Sequence, residues 1–195
     1  MTSAPLTAHD YYRTALVVLG DCGSDSLTIA ELCERLGITK GSFYHHFGSM
    51  AGFVTGLLGY WEQEHNERLI AASERELDPG LRILTLTEFG ITLPHAPEAA
   101  IRAWAHNNAE VAAAVARVDA RRDATIAEAI AGVGVDPDRA RTLSRLALTV
   151  LVGVQNRERD PEPARVRALF DEVIRLVFLE ADPARLERAR AALGG

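Results

Sequence analysis

Leu27–Phe47 reads LTIAELCERLGITKGSFYHHF, and the order of its caps, glycine and apolar positions decides how this part of the chain folds. Thr28 is placed to cap a helix whose apolar face, Ile29, Leu32, Cys33 and Leu36, follows the i, i+3, i+4, i+7 spacing. Gly37 falls just past the last apolar residue, where a left-handed residue ends a helix at little cost. Ile38 is positioned to plug the gap between two helices, and Thr39 to cap the second. Two short helices joined by a tight, Gly-containing turn make a helix-turn-helix, the motif that lays its second helix in the major groove of DNA.

On that second helix Phe43 and Phe47 are four apart and are expected to face inward. Lys40, Ser42, Tyr44, His45 and His46 are left for the outer surface or its rim, and all of them can donate to phosphates or base edges. Gly41 allows close backbone approach near the helix start. His45 and His46 diverge by roughly 100° around a helix, so they make a poor metal pair.

Thr-Ile-Ala at 28–30, Leu36-Gly37 and TKGSFYHHF at 39–47 resemble the DNA-binding signature of the TetR family of transcriptional regulators. The resemblance covers residues 27–54, and Tyr44, His46 and Phe47 carry its most specific part. It implies a cytoplasmic homodimer with a helical domain that binds a small organic ligand and a head that binds a double-stranded DNA operator. By position it makes Thr28 a phosphate-contacting cap and Tyr44 a backbone contact. It turns Thr39, Lys40, Gly41, Ser42, His45 and His46 toward DNA. The family often has a lysine at the start of the fourth helix, where this chain has Met50. Residues 1–50 also hold three cations, Arg13, Arg35 and Lys40, against five carboxylates. Fewer ionic phosphate contacts are therefore expected, with more reliance on neutral donors and helix N-termini.

The whole chain is acidic, with a net charge of −6 over 195 residues, so nucleic-acid contact has to be local. Its 48% hydrophobic residues are enough for a packed core. Cys22 and Cys33 are too few for a disulfide framework and read as reduced thiols. The longest apolar run, Leu146–Val154, is about half of the roughly 20 residues that span a bilayer. No leader pattern opens the chain, so no membrane association is expected.

Asp78-Pro79, Asp136-Pro137, Asp160-Pro161 and Asp182-Pro183 each read as an N-cap followed by a first helical proline. Sustained alternation is missing, and the fold class is all-α with about nine or ten helices. Short helices are expected at 7–21, 28–36 and 39–46 and a long one at 49–76. Further helices are expected at 79–92, 97–106, 108–131, 137–156, 161–179 and 183–192. Residues 1–48 then form a three-helix head, and 49–195 a larger ligand-binding and dimerisation domain. The helices near 137–156 and 161–179 are apolar around more than one face, which suggests burial against a partner subunit.

Candidate ligand contacts are Trp61 and His65 on the long helix, Thr85, Glu88 and Phe89 on the next, then Trp104, Asn107 and Asn108. Glu62 and His65 have the i, i+3 spacing of di-iron bundles, but no second pair accompanies them. Neither a nucleophile elbow nor a phosphate-binding glycine loop is present, so no enzyme activity and no cofactor are expected. The chain reads as a transcriptional regulator, a repressor whose operator affinity a ligand changes. A helical enzyme or carrier with a vestigial head, and a head that binds protein, are the alternatives.

Overall fold

A computed structural model describes residues 6–184, apart from the side chains of His65 and Leu69. Among the described residues every regular element is helical. The helices are α1 (Ala8–Cys22), α2 (Ile29–Leu36), α3 (Lys40–Phe47), α4 (Met50–Glu62) and α5 (Arg68–Glu74). They continue as α6 (Pro79–Thr92), α7 (His95–Ala105), α8 (Ala109–Gly132), α9 (Pro137–Arg157) and α10 (Pro163–Glu180). A π-helical turn, Gln63–Glu67, joins α4 to α5. The helix expected at 183–192 lies outside the described residues apart from its first two positions.

The helix starts follow from their caps. Asp78 Oδ1 accepts from the backbone N–H groups of Gly80 and Leu81 at 2.7 and 3.1 Å. Asp136 Oδ1 does the same for Asp138 and Arg139 at 3.0 and 3.2 Å. The Asp160-Pro161 pair does not start a helix. Pro163 holds the preceding Glu162 in an extended conformation, ψ 124°, so α10 begins at Pro163 rather than at Pro161. The seventh helix starts at His95, two residues before its expected start, because Pro97 falls in the first turn, where a missing N–H breaks no bond.

The described residues form two compact units. One comprises those up to 63 together with 94–115; the other comprises 64–93 with those from 116 onward. Packing therefore groups the chain differently from a division in chain order at residue 48, since α4 and α7 join the head. The reason lies in α7: Glu98 and Ile101 are fully buried, and Glu98 Oε1 accepts a 2.7 Å hydrogen bond from Trp61 Nε1 on α4.

In the first unit α1 packs on α2, α4 and α7. Tyr11, Phe43 and Phe53 are fully buried, and burial of each such side chain stabilises by about 1.5–3 kcal/mol. Tyr12 sits against Phe47, Phe53 and Tyr60 at centroid distances of 5.7, 5.6 and 5.4 Å. Its hydroxyl lies where a Cβ at Gly56 would be, 2.1 Å away, so α1 reaches α4 only because residue 56 is glycine. Burial raises the Tyr12 phenol pKa above its ordinary value.

The second unit packs α6, α9 and α10 with the later turns of α8. One cluster centres on Ile83, Ile130, Val133, Leu143 and Val177, another on Ile91, Leu151, Val166, Phe170 and Val173. Ser144 Oγ donates to the Asp123 carbonyl at 2.8 Å, tying α9 to α8. Arg139 chelates the Glu180 carboxylate across α9 and α10 at 2.7–2.9 Å. That pairing holds the Glu180 pKa below the usual carboxylate value.

Candidate nucleic-acid interface and internal cavity

The turn between α2 and α3 is closed at both ends. Thr28 Oγ1 accepts from the Glu31 N–H at 3.2 Å, capping α2. Gly37 takes the left-handed conformation, φ 65° and ψ 36°, and the Ile38 N–H returns to the Cys33 carbonyl at 3.0 Å. Thr39 Oγ1 accepts from the Ser42 N–H at 3.2 Å and starts α3.

One face of α3 is then fixed by Phe43, which is fully buried, and by the partly buried Phe47. Thr28, Thr39, Lys40, Gly41, Tyr44, His45 and His46 are all exposed. Ser42 is partly buried, and its Oγ lies 3.4 Å from Tyr11 Oη. The Tyr11 ring also packs on the exposed His46 ring, centroid to centroid 5.3 Å. Tyr11 thus supports two α3 side chains from below. Sequence reading missed it, because that contact spans 31 residues in the chain.

The charges of the head are mostly spent internally. Arg13 pairs with Asp10, and Arg35 pairs with Glu31 at 2.6 Å and Asp21 at 3.3 Å. Those bonds raise the Arg35 pKa. Asp10 is held at about 2 by the Thr7 hydroxyl and backbone N–H and by Arg13. Lys40 is exposed on the first turn of α3 and, among the described residues, makes no ion pair. Met50 is partly buried at the first position of α4, next to the Ser49 cap, whose Oγ accepts from the Gly52 N–H at 3.0 Å.

A small cavity lies inside the second unit, with a volume of about 60 Å³. Leu86, Phe89, Leu93, Leu151 and Phe170 supply most of its wall. Polar groups come from Asn66 in the π turn and from Arg122 and Thr125, one turn apart on α8. Asn66 is 3% exposed and Arg122 8% exposed, and Arg122 Nε donates to Asn66 Oδ1 at 3.2 Å. The ring of Phe170 closes against Gly90, 3.1 Å from where a Cβ would stand.

Of the side chains read from the sequence as ligand contacts, Phe89 lines this cavity. Glu88 is paired with Arg167 on the surface, and Thr85 is partly buried nearby on α6. Trp61, Trp104, Asn107 and Asn108 belong to the first unit. Trp61 is bonded to Glu98 there, and Asn108 Oδ1 caps α8 by accepting from Glu110 and Val111 at 3.0 and 3.1 Å. The His65 side chain lies outside the described ones. Among the described residues, no group of three His, Cys, Asp or Glu gathers to hold a metal ion, and no helix is long and apolar enough to cross a membrane.

Residues 12–56 match the model of a family described as bacterial regulatory proteins, tetR family. A probable HTH-type transcriptional regulator, ArpR of Pseudomonas putida, is 28% identical over 109 residues, 54% of this chain and 52% of the relative. The chain thus spans about half the length of that curated relative. The fold is that of a transcriptional regulator from Rhodococcus sp. Rha1, with a TM-score of 0.77 at 16% identity over 91% of this chain and 98% of the other. A putative regulator from Saccharomonospora viridis, solved in complex with choline, gives 0.73 at 17% identity over 86% and 95%. The match takes in the helix-turn-helix described above, so the segment from α1 to α4 is similar to the tetR family of bacterial regulatory proteins.

Proposed function

We propose that this protein is a DNA-binding transcriptional repressor that works as a homodimer and changes operator affinity when a small organic ligand enters its helical domain. The observation that carries the reading is the capped α2–turn–α3 unit with Lys40, Tyr44, His45 and His46 exposed together on α3. Residues 1–48 serve as the reading head, α3 entering the major groove and Thr28 and Tyr44 meeting the sugar-phosphate backbone. Residues 49–195 hold the ligand and the partner subunit.

Dimerisation is supported by leucines left exposed on α9 and α10: Leu146, Leu169, Leu176 and Leu179, the last 75% exposed. Large apolar side chains grouped on a surface mark an interaction face. Ligand response is supported by the cavity and by the choline held in a fold neighbour. A ligand shifts operator affinity only by as much as it discriminates between two spacings of the heads.

The test is selection of duplexes from a random library by the full chain. Enrichment of an inverted repeat, two half-sites related by a two-fold axis, is expected. Failure to enrich any sequence would instead favour a protein partner for the head, and a monomer by light scattering at micromolar concentration would remove the dimer.

A further inference from the structure

We propose that Tyr11 is a positioning residue for the reading helix: its buried hydroxyl holds Ser42 so that Ser42 offers its own proton to an acceptor on DNA. The inference rests on the DNA-binding reading above and adds a residue of α1 to it. Tyr11 is 0% exposed, so it acts on DNA only through the side chains it supports. Among the described residues Ser42 Oγ, 3.4 Å away, is the one hydrogen-bond partner of the Tyr11 hydroxyl.

A phenol O–H enclosed in this way costs free energy unless an acceptor meets it. Ser42 Oγ is that acceptor, so Tyr11 donates and Ser42 accepts. A serine hydroxyl has one proton and two lone pairs. Accepting from Tyr11 fixes the side-chain rotamer, takes up one lone pair and leaves the proton to be given elsewhere. It also polarises the Ser42 O–H, which makes it a better donor. Threonines inside the helices behave differently. Thr14, Thr87 and Thr149 each donate to the carbonyl four residues back, at 2.7–2.9 Å, as hydroxyls on helices commonly do. Among the described residues Ser42 Oγ makes no such bond. The Ser42 N–H meanwhile donates to Thr39 Oγ1 at 3.2 Å, so the helix cap fixes its backbone and Tyr11 its side chain. Ser42 and His46 are one turn apart and form a row on α3, and the same tyrosine lies under both. Phosphate oxygens and base-edge acceptors are the groups on DNA that such a donor meets.

Tyr11→Phe deletes the hydroxyl and keeps the ring, so its urea unfolding midpoint should stay close to that of the unaltered chain. Its affinity for the selected duplex, by fluorescence anisotropy, should fall. At 3.4 Å the contact is long for two hydroxyls, so the expected loss is about two- to fivefold, the lower part of what one neutral hydrogen bond contributes. Ser42→Ala should lose at least as much. Adding Tyr11→Phe to Ser42→Ala should cost no further affinity, a coupling that a merely structural role of Tyr11 would not produce. Competition with duplexes altered one base pair at a time tells the two acceptors apart. A base-edge acceptor confines the loss to one base pair of each half-site, and a phosphate oxygen spreads it evenly over all sequences. Unchanged affinity in Tyr11→Phe overturns the proposal, as does an equal loss in the presence and absence of the Ser42 hydroxyl. Either result leaves the DNA-binding reading standing, whereas failure of the unaltered chain to bind any duplex removes both.

Discussion

Gly56 and Gly59 lie one turn apart on α4, and the structure assigns opposite outcomes to the same substitution. Alanine in a helix interior is favoured over glycine by about 1 kcal/mol. At Gly59 no atom stands within 4 Å of an added Cβ, so Gly59→Ala should stabilise by about that amount, roughly 2–4 °C in Tm for a chain of this size. At Gly56 the added Cβ would be 2.1 Å from Tyr12 Oη and 2.9 Å from its Cζ. The Tyr12 ring has little room to retreat, being flanked by Phe47, Phe53 and Tyr60. Overpacking of this kind costs about 1–3 kcal/mol. Set against the helix gain, Gly56→Ala should be destabilising by up to about 2 kcal/mol, so the two variants should differ by about 1–3 kcal/mol. Adding Tyr12→Phe deletes the nearest atom and should recover part of the loss, a coupling readable in a double-mutant cycle. Urea unfolding followed by circular dichroism gives all four values. If Gly56→Ala stabilised the protein as much as Gly59→Ala, the close approach of α1 to α4 through Tyr12 would be wrong.

Other expectations concern the head. Lys40→Ala should weaken binding of the selected duplex about uniformly across sequences and flatten the salt slope by about one, measured by fluorescence anisotropy; unchanged affinity would mean that α3 is docked differently. With Arg13 and Arg35 already paired, the unaltered protein should show a log-affinity slope well short of the lac repressor's value of about −10, and a slope that steep would contradict the count of free cations. The Asp10 carboxyl should titrate near 2 by NMR. Its folded pKa lies below the ordinary value of 3.8, so its support of the α1 start is complete above that value and fades as pH falls from about 4 to about 2. Thr7→Ala should raise the midpoint toward the ordinary value.

How much of this was legible in the sequence depended on the distance over which each signal acts. Thr28, Gly37, Thr39 and the four-residue step from Phe43 to Phe47 are local, and α2 and α3 fall within one residue of where those marks place them. Pairing across long separations was not readable. Glu88, read from the sequence as a candidate ligand contact, is paired with Arg167, 79 residues on, and Asn108 is taken up in capping α8. Arg122 was hidden by company: beside it Arg121 is exposed and ion-paired to Glu67 and Glu74 at 3.7 and 3.8 Å. A run of arginines reads as a solvated face, yet Arg122 heads a stripe with the partly buried Ile126 and the buried Ala129, four and seven residues on. That spacing was the available signal.

The π turn of Gln63–Glu67 carries a different kind of information. Buried positions along this helical run fall at Trp61, Asn66, Ile70 and Ser73, a step of five followed by steps of four and three. An unbroken α-helix would have stepped four from Trp61 to His65, the residue that periodicity singles out. The extra residue thus hands the inward position to an amide that now orients Arg122. Because the change is one of count rather than of composition, removing the Glu67 codon would turn Asn66 by about 100° around the helix, away from its place opposite Arg122. The chemistry offered to a ligand would then be exchanged in one genetic step, without altering any side chain of α5 or α8.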